Sequence, residues 1–138
     1  MKFMDKLSPD KRSWNMSRIK NRDTKPELRV RSLLHRLGYR FRINRKDLVG
    51  CPDIVLPMHN KIIFVHGCFW HRHPKCKYAY HPKSRQEFWA DKFQKTVLRD
   101  KIVVNSLLQL GWDVYVIWEC ETKSEEHLEN RIKRIFAG

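Results

Sequence analysis

The chain has 138 residues and carries 29 Lys and Arg against 15 Asp and Glu, a formal charge of +14. That length suits one domain, and 41% hydrophobic residues supply a core, which excludes wholesale disorder. No apolar run approaches the roughly 18–20 residues of a membrane span, and no hydrophobic signal core follows the basic N-terminus, so a cytoplasmic protein with no membrane partner is expected.

Along the chain, Ser8-Pro9 reads as an N-cap and N1 proline opening a short, basic helix to about Lys20. Thr24-Lys25-Pro26-Glu27 gives a capping box, Val30, Leu33, Leu34 and Leu37 follow at helical spacing, and Gly38 stops the helix. Tyr39 to Ile43 alternates apolar residues with Arg, a half-exposed strand. Asp53–Leu56 and Ile62–Val65 form a hairpin around Pro57-Met58-His59-Asn60, and their unbroken apolar runs predict burial on both faces. A loop rich in His, Cys and aromatics runs from about Gly67 to Pro82. Ser84 and Glu87 predict a second capping box, opening a long helix that ends near Leu110 before Gly111. Its apolar positions are Phe88, Phe93, Val97, Val104, Leu107 and Leu108. Val114–Trp118 reads as a buried strand, and Ser124 to about Phe136 as an amphipathic helix. The order is α-α-β-β-β-α-β-α: a three-stranded unit, a crossover helix and a fourth strand. It predicts one domain over residues 1–138.

So basic a chain calls for a polyanionic partner, and nucleic acid comes first, because each cation docked on a phosphate releases condensed counterions. Charge alone does not separate binding from cutting. The densest chemical signal is His66-Gly67-Cys68-Phe69-Trp70-His71-Arg72-His73-Pro74-Lys75-Cys76. Cys68, His73 and Cys76 can converge on one tetrahedral Zn²⁺, and Cys120, just beyond the last strand, is the candidate fourth ligand. Such a site is structural and staples a loop poor in apolar residues. By spacing alone His71 or His81 competes with His73. Cys51 reads as a small packed residue in a turn.

Asp53 opens a buried strand whose hairpin partner ends in Val65-His66, followed by His71. A carboxylate there can hold Mg²⁺ against a phosphate oxygen, and one or two imidazoles can handle the protons of phosphodiester hydrolysis. Glu27 or Asp100 can hold water or orient a histidine; otherwise both are solvated helix residues. Phe69, Trp70 and Trp89, set beside basic residues, can wedge between base pairs, with core packing as the alternative. Trp112 and Trp118 are assigned to the core, and Trp14 is unassigned.

With these residues in hand, the sequence resembles the very short patch repair (Vsr-type) DNA mismatch endonucleases. The resemblance rests on Gly50-Cys51-Pro52-Asp53, Phe64 through His71, Glu87-Phe88-Trp89, Arg99-Asp100, Leu110-Gly111-Trp112 and Val116 through Cys120. It implies a restriction-endonuclease-like α/β fold, a mixed sheet with an αβββαβ core flanked by helices and a structural zinc site. It implies an endonuclease that nicks one strand 5′ to the thymine of a T:G mismatch left by deamination of 5-methylcytosine. By resemblance Asp53 and the backbone carbonyl of Val65 hold Mg²⁺, and His66 and His71 are catalytic. Asp100 orients His71, and Glu27 lies near the active centre. Cys68, His73, Cys76 and Cys120 hold Zn²⁺, Phe69, Trp70 and Trp89 intercalate, and residues 1–22 clamp the DNA. The implied partners are double-stranded DNA with a T:G mismatch and mismatch-repair proteins, engaged by a monomer. The sequence departs from the family pattern at Val65, where Thr is common, at Cys51, where a basic residue is common, and in a His73–Cys76 spacer one residue longer. Two other readings stand beside it: a restriction-type nuclease cutting unmismatched DNA, and a zinc-stabilised DNA-binding module without catalysis.

Overall fold

The computed structural model describes residues 23–137; the helix expected from Ser8, the clamping segment 1–22 and Trp14 lie outside the described residues. Helix α1 spans Lys25–Arg36, with Thr24 as N-cap, its side chain accepting the Glu27 N–H at 3.4 Å. The reciprocal half of the expected capping box differs: Glu27 Oε2 accepts from the Asp23 N–H at 2.6 Å, one residue upstream of the cap. Pro26 sits in the first turn, where its missing N–H costs nothing. Four strands follow: β1 (Arg42–Ile43), β2 (Ile54–Leu56), β3 (Lys61–His66) and, after the crossover helix α2 (Gln86–Gln109), β4 (Asp113–Trp118). Helix α3 covers Glu125–Ala137.

The sheet order is β1-β2-β3-β4, antiparallel through β3 and parallel between β3 and β4. This mixed α/β architecture is the expected one. Both residues of β1 are exposed, so the predicted strand from Tyr39 is shorter than its alternation suggests. Tyr39 and Phe41 instead pack on the core from the approach to the strand. The Pro57–His59 link is a single 3-10 turn closed by Asn60 in the left-handed region.

Period-two alternation divides the hairpin between two cores. Ile54, Leu56, Ile63 and Val65 face α1 and α3, meeting Val30, Leu33 and Leu34 from one helix and Leu128, Ile132 and Ile135 from the other. Val55, Ile62 and Phe64 face α2, meeting Val103 and Leu107. Helices on both faces explain the unbroken apolar runs, since β2 and β3 are buried throughout. Each fully buried aliphatic side chain contributes roughly 1.5–3 kcal/mol. The edge strand β4 is half-buried over most of its length rather than buried as predicted.

Helix α2 departs most from expectation. Its N-cap is Arg85, at φ 54° and without a side-chain cap, so the Ser84–Glu87 box does not close it. Its buried residues are Trp89, Phe93, Val103 and Leu107, whereas Phe88 and Leu108 are exposed. The gap between Phe93 and Val103 has a cause: there Thr96, Arg99 and Asp100 form the wall of a cleft instead of packing on the sheet. Among the described residues no helix is long and apolar enough to cross a membrane.

Candidate active site and metal centre

Parallel pairing of β3 with β4 sets up the functional end of the molecule. The register aligns His66 with Trp118, so both strands release their chains at the same edge. The loop after β3 and the turn after β4 therefore meet, which brings Cys120 beside Cys68 although β4 lies at the edge of the sheet. Cys68, His73, Cys76 and Cys120 each offer a ligand atom within 4.8 Å of the others. His73 Nδ1 is 3.6 Å from Cys68 Sγ and 3.4 Å from Cys120 Sγ. Zn–S near 2.3 Å and Zn–N near 2.0–2.1 Å at a tetrahedral angle require an S···N edge of about 3.6 Å. The donors thus fit Zn²⁺ in chemistry and in spacing. His73 joins this cluster, while His71 belongs to a different one and His81 is exposed. All four cysteines are free thiols. Burial pushes the Cys68 thiol up to about 12, and burial likewise raises Cys120, where Cys76 and Glu121 add to the rise and a hydrogen bond with Cys68 opposes it. A metal ion offsets that cost by ionising the sulfurs.

On the α2 face, alternation carries Asp53 and His66 to the mouth of a cleft of about 660 Å³, with His71, Asp100 and Glu27 in its walls. The His66 and His71 rings are stacked, 3.8 Å between centroids and 9° from parallel. His71 Nδ1 lies 2.7 Å from Asp100 Oδ2, so Asp100 is not a solvated helix residue. Asp53 Oδ2 accepts the Val65 N–H at 2.7 Å. Burial pushes the Asp53 carboxyl up to about 7; the Val65 N–H and the charge of His71 oppose the rise, and Glu27 adds to it. Glu27 is 3% exposed and is itself raised by burial, although the Asp23 N–H and Arg31 pull it down. Two acids crowded at low dielectric are hard-oxygen donors that a divalent cation would relieve, so this end of the cleft suits Mg²⁺. Burial pushes His66 down to about 4, helped by His71 and opposed by Asp100; it is neutral at pH 7.

Phe69 and Trp70 are half-buried, edge to face at 5.2 Å. Trp89 is 4% exposed and packs against both rings and Phe93, so the structure places it beneath the other two. Cys51 is exposed at φ 45° and lines the cleft, not packed as expected. Sequence reasoning missed two features. Trp118, assigned to the core, stacks on His73 at 4.2 Å and meets His66 edge-on at 5.4 Å, joining the thiol knuckle to the imidazoles. Lys46 and Arg99 line the cleft; only the overall basic charge hinted at Lys46, and Arg99 stood out in the sequence only as the neighbour of Asp100 in a motif, with no role.

A buried carboxylate and paired imidazoles, opening on one cleft of a strongly basic chain, equip it to hydrolyse phosphodiesters, and the class that fold and site define is a nuclease. Comparison with known proteins makes this specific. Residues 4–77 match the model of the family described as DNA mismatch endonuclease Vsr. A type II nicking enzyme of Xanthomonas oryzae pv. oryzae, V.XorIIP, is 46% identical over 132 residues, covering 96% of each chain. The Escherichia coli DNA mismatch endonuclease Vsr is 44% identical over 117 residues, 85% of this chain and 74% of that protein. V.NmeAIP, a type II nicking enzyme of Neisseria meningitidis, is 40% identical over 131 residues, 95% and 93% of the two chains. The chain belongs to the Vsr family of DNA endonucleases.

Proposed function

We propose that this endonuclease nicks one strand of duplex DNA 5′ to the thymine of a T:G mismatch, the first step of very short patch repair, by Mg²⁺-dependent hydrolysis. The observation that carries the reading is the convergence of Asp53, His66 and the His71–Asp100 pair on one cleft, at the foot of the loop bearing Phe69 and Trp70. Asp53 and the Val65 carbonyl would hold Mg²⁺, which when bound neutralises phosphoryl charge and polarises water. The Val65 N–H orients the Asp53 carboxylate. His66, neutral at pH 7, accepts a proton from the attacking water. Asp100 fixes the His71 ring through Nδ1, leaving Nε2 for proton transfer. Glu27, buried against Asp53, helps hold water and metal. Cys68, His73, Cys76 and Cys120 hold a structural Zn²⁺ that fixes the wedge loop.

Phe69 and Trp70 enter the base stack beside the mismatch, and Trp89 joins them as the cluster opens. Residues 1–138 act as one domain and one monomer, with 1–22 clamping phosphates; mismatch-repair proteins are the further partners of this reading. A second reading, cleavage of an unmismatched site, is favoured by relatives whose names specify nicking but no mismatch. End-labelled duplexes with a T:G pair or its matched counterpart, incubated with protein and Mg²⁺, separate the two. A nick confined to the mismatched strand supports the first, and cutting of matched duplex supports the second. DNA that is bound but uncut in every context refutes both.

A further inference from the structure

Arg72 has a role that neither the proton chemistry nor the thiol knuckle absorbs. It lies between His71 and His73 with its backbone in the left-handed region, φ 55°. Its guanidinium donates to three backbone carbonyls: Phe69 at 3.1 Å, Tyr80 at 3.1 Å and Ala79 at 2.8 Å. It also lies over the Phe93 ring at 3.9 Å from the centroid. One side chain thus ties the wedge end of the loop to its far end and presses both onto α2. Tyr80, held by the same clasp, packs its ring on Phe69 at 5.0 Å.

In so basic a protein the plain reading of an arginine beside the site is a phosphate contact. The geometry argues otherwise, because the fork is already committed to carbonyls and its face to a ring. We propose that Arg72 is a positioning residue for the aromatic wedge, holding Phe69 and Trp70 in the pose that enters the base stack. This deepens the mismatch-nicking reading and rests on it.

The two roles leave different signatures. A phosphate contact is satisfied by any cation and contributes about one unit to the slope of log affinity against log salt. A three-carbonyl clasp needs the planar fork, which lysine lacks. The test uses the full chain, T:G duplexes carrying 2-aminopurine beside the mismatch, and the variants Arg72→Ala, Arg72→Lys and Phe69→Ala. Both Arg72 variants are expected to lose at least about tenfold in single-turnover nicking rate at saturating protein, the loss of charged hydrogen bonds. The fluorescence rise that reports unstacking should fall with it, while the salt slope stays that of the parent. Far-UV circular dichroism and thermal melts check folding; should Arg72→Ala fail to fold, Arg72→Lys, which keeps the stem and charge, decides. Rescue by Arg72→Lys, a salt slope reduced by about one, or parental unstacking in both variants overturns the proposal. If Phe69→Ala itself unstacks DNA like the parent, the wedge reading is wrong and the role of Arg72 falls with it. If Phe69→Ala is defective and the Arg72 variants are not, the role of Arg72 alone is wrong.

Discussion

His71 is held from two sides: its ring lies flat on His66 at 3.8 Å, and its Nδ1 meets Asp100 Oδ2 at 2.7 Å. The stack fixes the plane of the ring and the carboxylate fixes its rotation and tautomer, so Nε2 has one direction to point. Replacing Asp100 with Asn keeps the shape but permits the amide to donate, which favours the wrong tautomer. Asp100→Asn is expected to slow single-turnover nicking about a hundredfold, within the span of general acid–base effects, while DNA affinity in gel-shift titration stays within about twofold. A parental rate would remove the orienting role.

Asp53 and His66, both facing the cleft, push stability in opposite directions with pH. Folded Asp53 keeps its proton to about pH 7, whereas an ordinary carboxyl loses it near 3.8. Its contribution is therefore complete below pH 3.8 and lost as pH rises through 7. Folded His66 takes its proton only near pH 4 against an ordinary 6.5. Its contribution is complete above pH 6.5 and lost as pH falls through 4. Around Asp53 stand Glu27, His71 and the Val65 N–H, and Asn can still accept that N–H. In metal-free buffer Asp53→Asn is thus expected to be more stable than the parent at pH 8, by on the order of a few kcal/mol in urea unfolding, with the advantage vanishing at pH 4. Millimolar Mg²⁺ at pH 8 should raise the parent's melting temperature and leave that of Asp53→Asn unchanged. Equal Mg²⁺ response in both would take the metal away from Asp53.

The thiol knuckle carries an expectation independent of DNA. The purified chain should hold one equivalent of zinc by elemental analysis. Cys120→Ala should abolish stoichiometric zinc and lower the melting temperature by about 10 °C or more, the scale of losing a structural metal in a domain of this size. His81→Ala, which changes an exposed side chain outside the knuckle, should keep both. Full zinc in Cys120→Ala would sink the assignment.

The hairpin was legible because β2 and β3, covered on both faces, carry unbroken apolar runs, and Cys68, His73 and Cys76 because short spacers limit how donors converge. What sequence could not choose was His73 over its neighbours: that depends on the turn in which the His73 N–H bonds the Cys68 carbonyl at 3.0 Å. Nor could spacing reveal that parallel pairing of β3 with β4 delivers Cys120 from an edge strand. The stretch of α2 from Phe93 to Val103 misled helical periodicity because a cleft wall obeys the substrate's needs and not the core's. Trp118 reads as core from sequence because a large aromatic in a strand gives no sign that its ring backs two histidines.

Gly50 offers the sharpest check on how the chain delivers Asp53. It has φ +77°, and a Cβ built there lies 2.3 Å from Val103 Cγ1. Cys51 follows at φ 45° and then Pro52, completely buried, so two left-handed residues and a fixed proline turn the chain into β2 with Asp53 at its mouth. An alanine at 50 meets two separate penalties, the backbone strain and the clash with α2. Gly50→Ala should cost about 1–3 kcal/mol in urea unfolding and at least tenfold in nicking rate, because the collision is relieved by moving the Asp53 turn off α2. Adding Val103→Ala removes the two methyls at 2.3 and 3.1 Å, leaving a tight 3.3 Å approach to its Cβ and the backbone strain, so the double variant should recover part of the rate without regaining parental stability. If Gly50→Ala nicks like the parent, the close approach of this turn to α2 is not what positions Asp53.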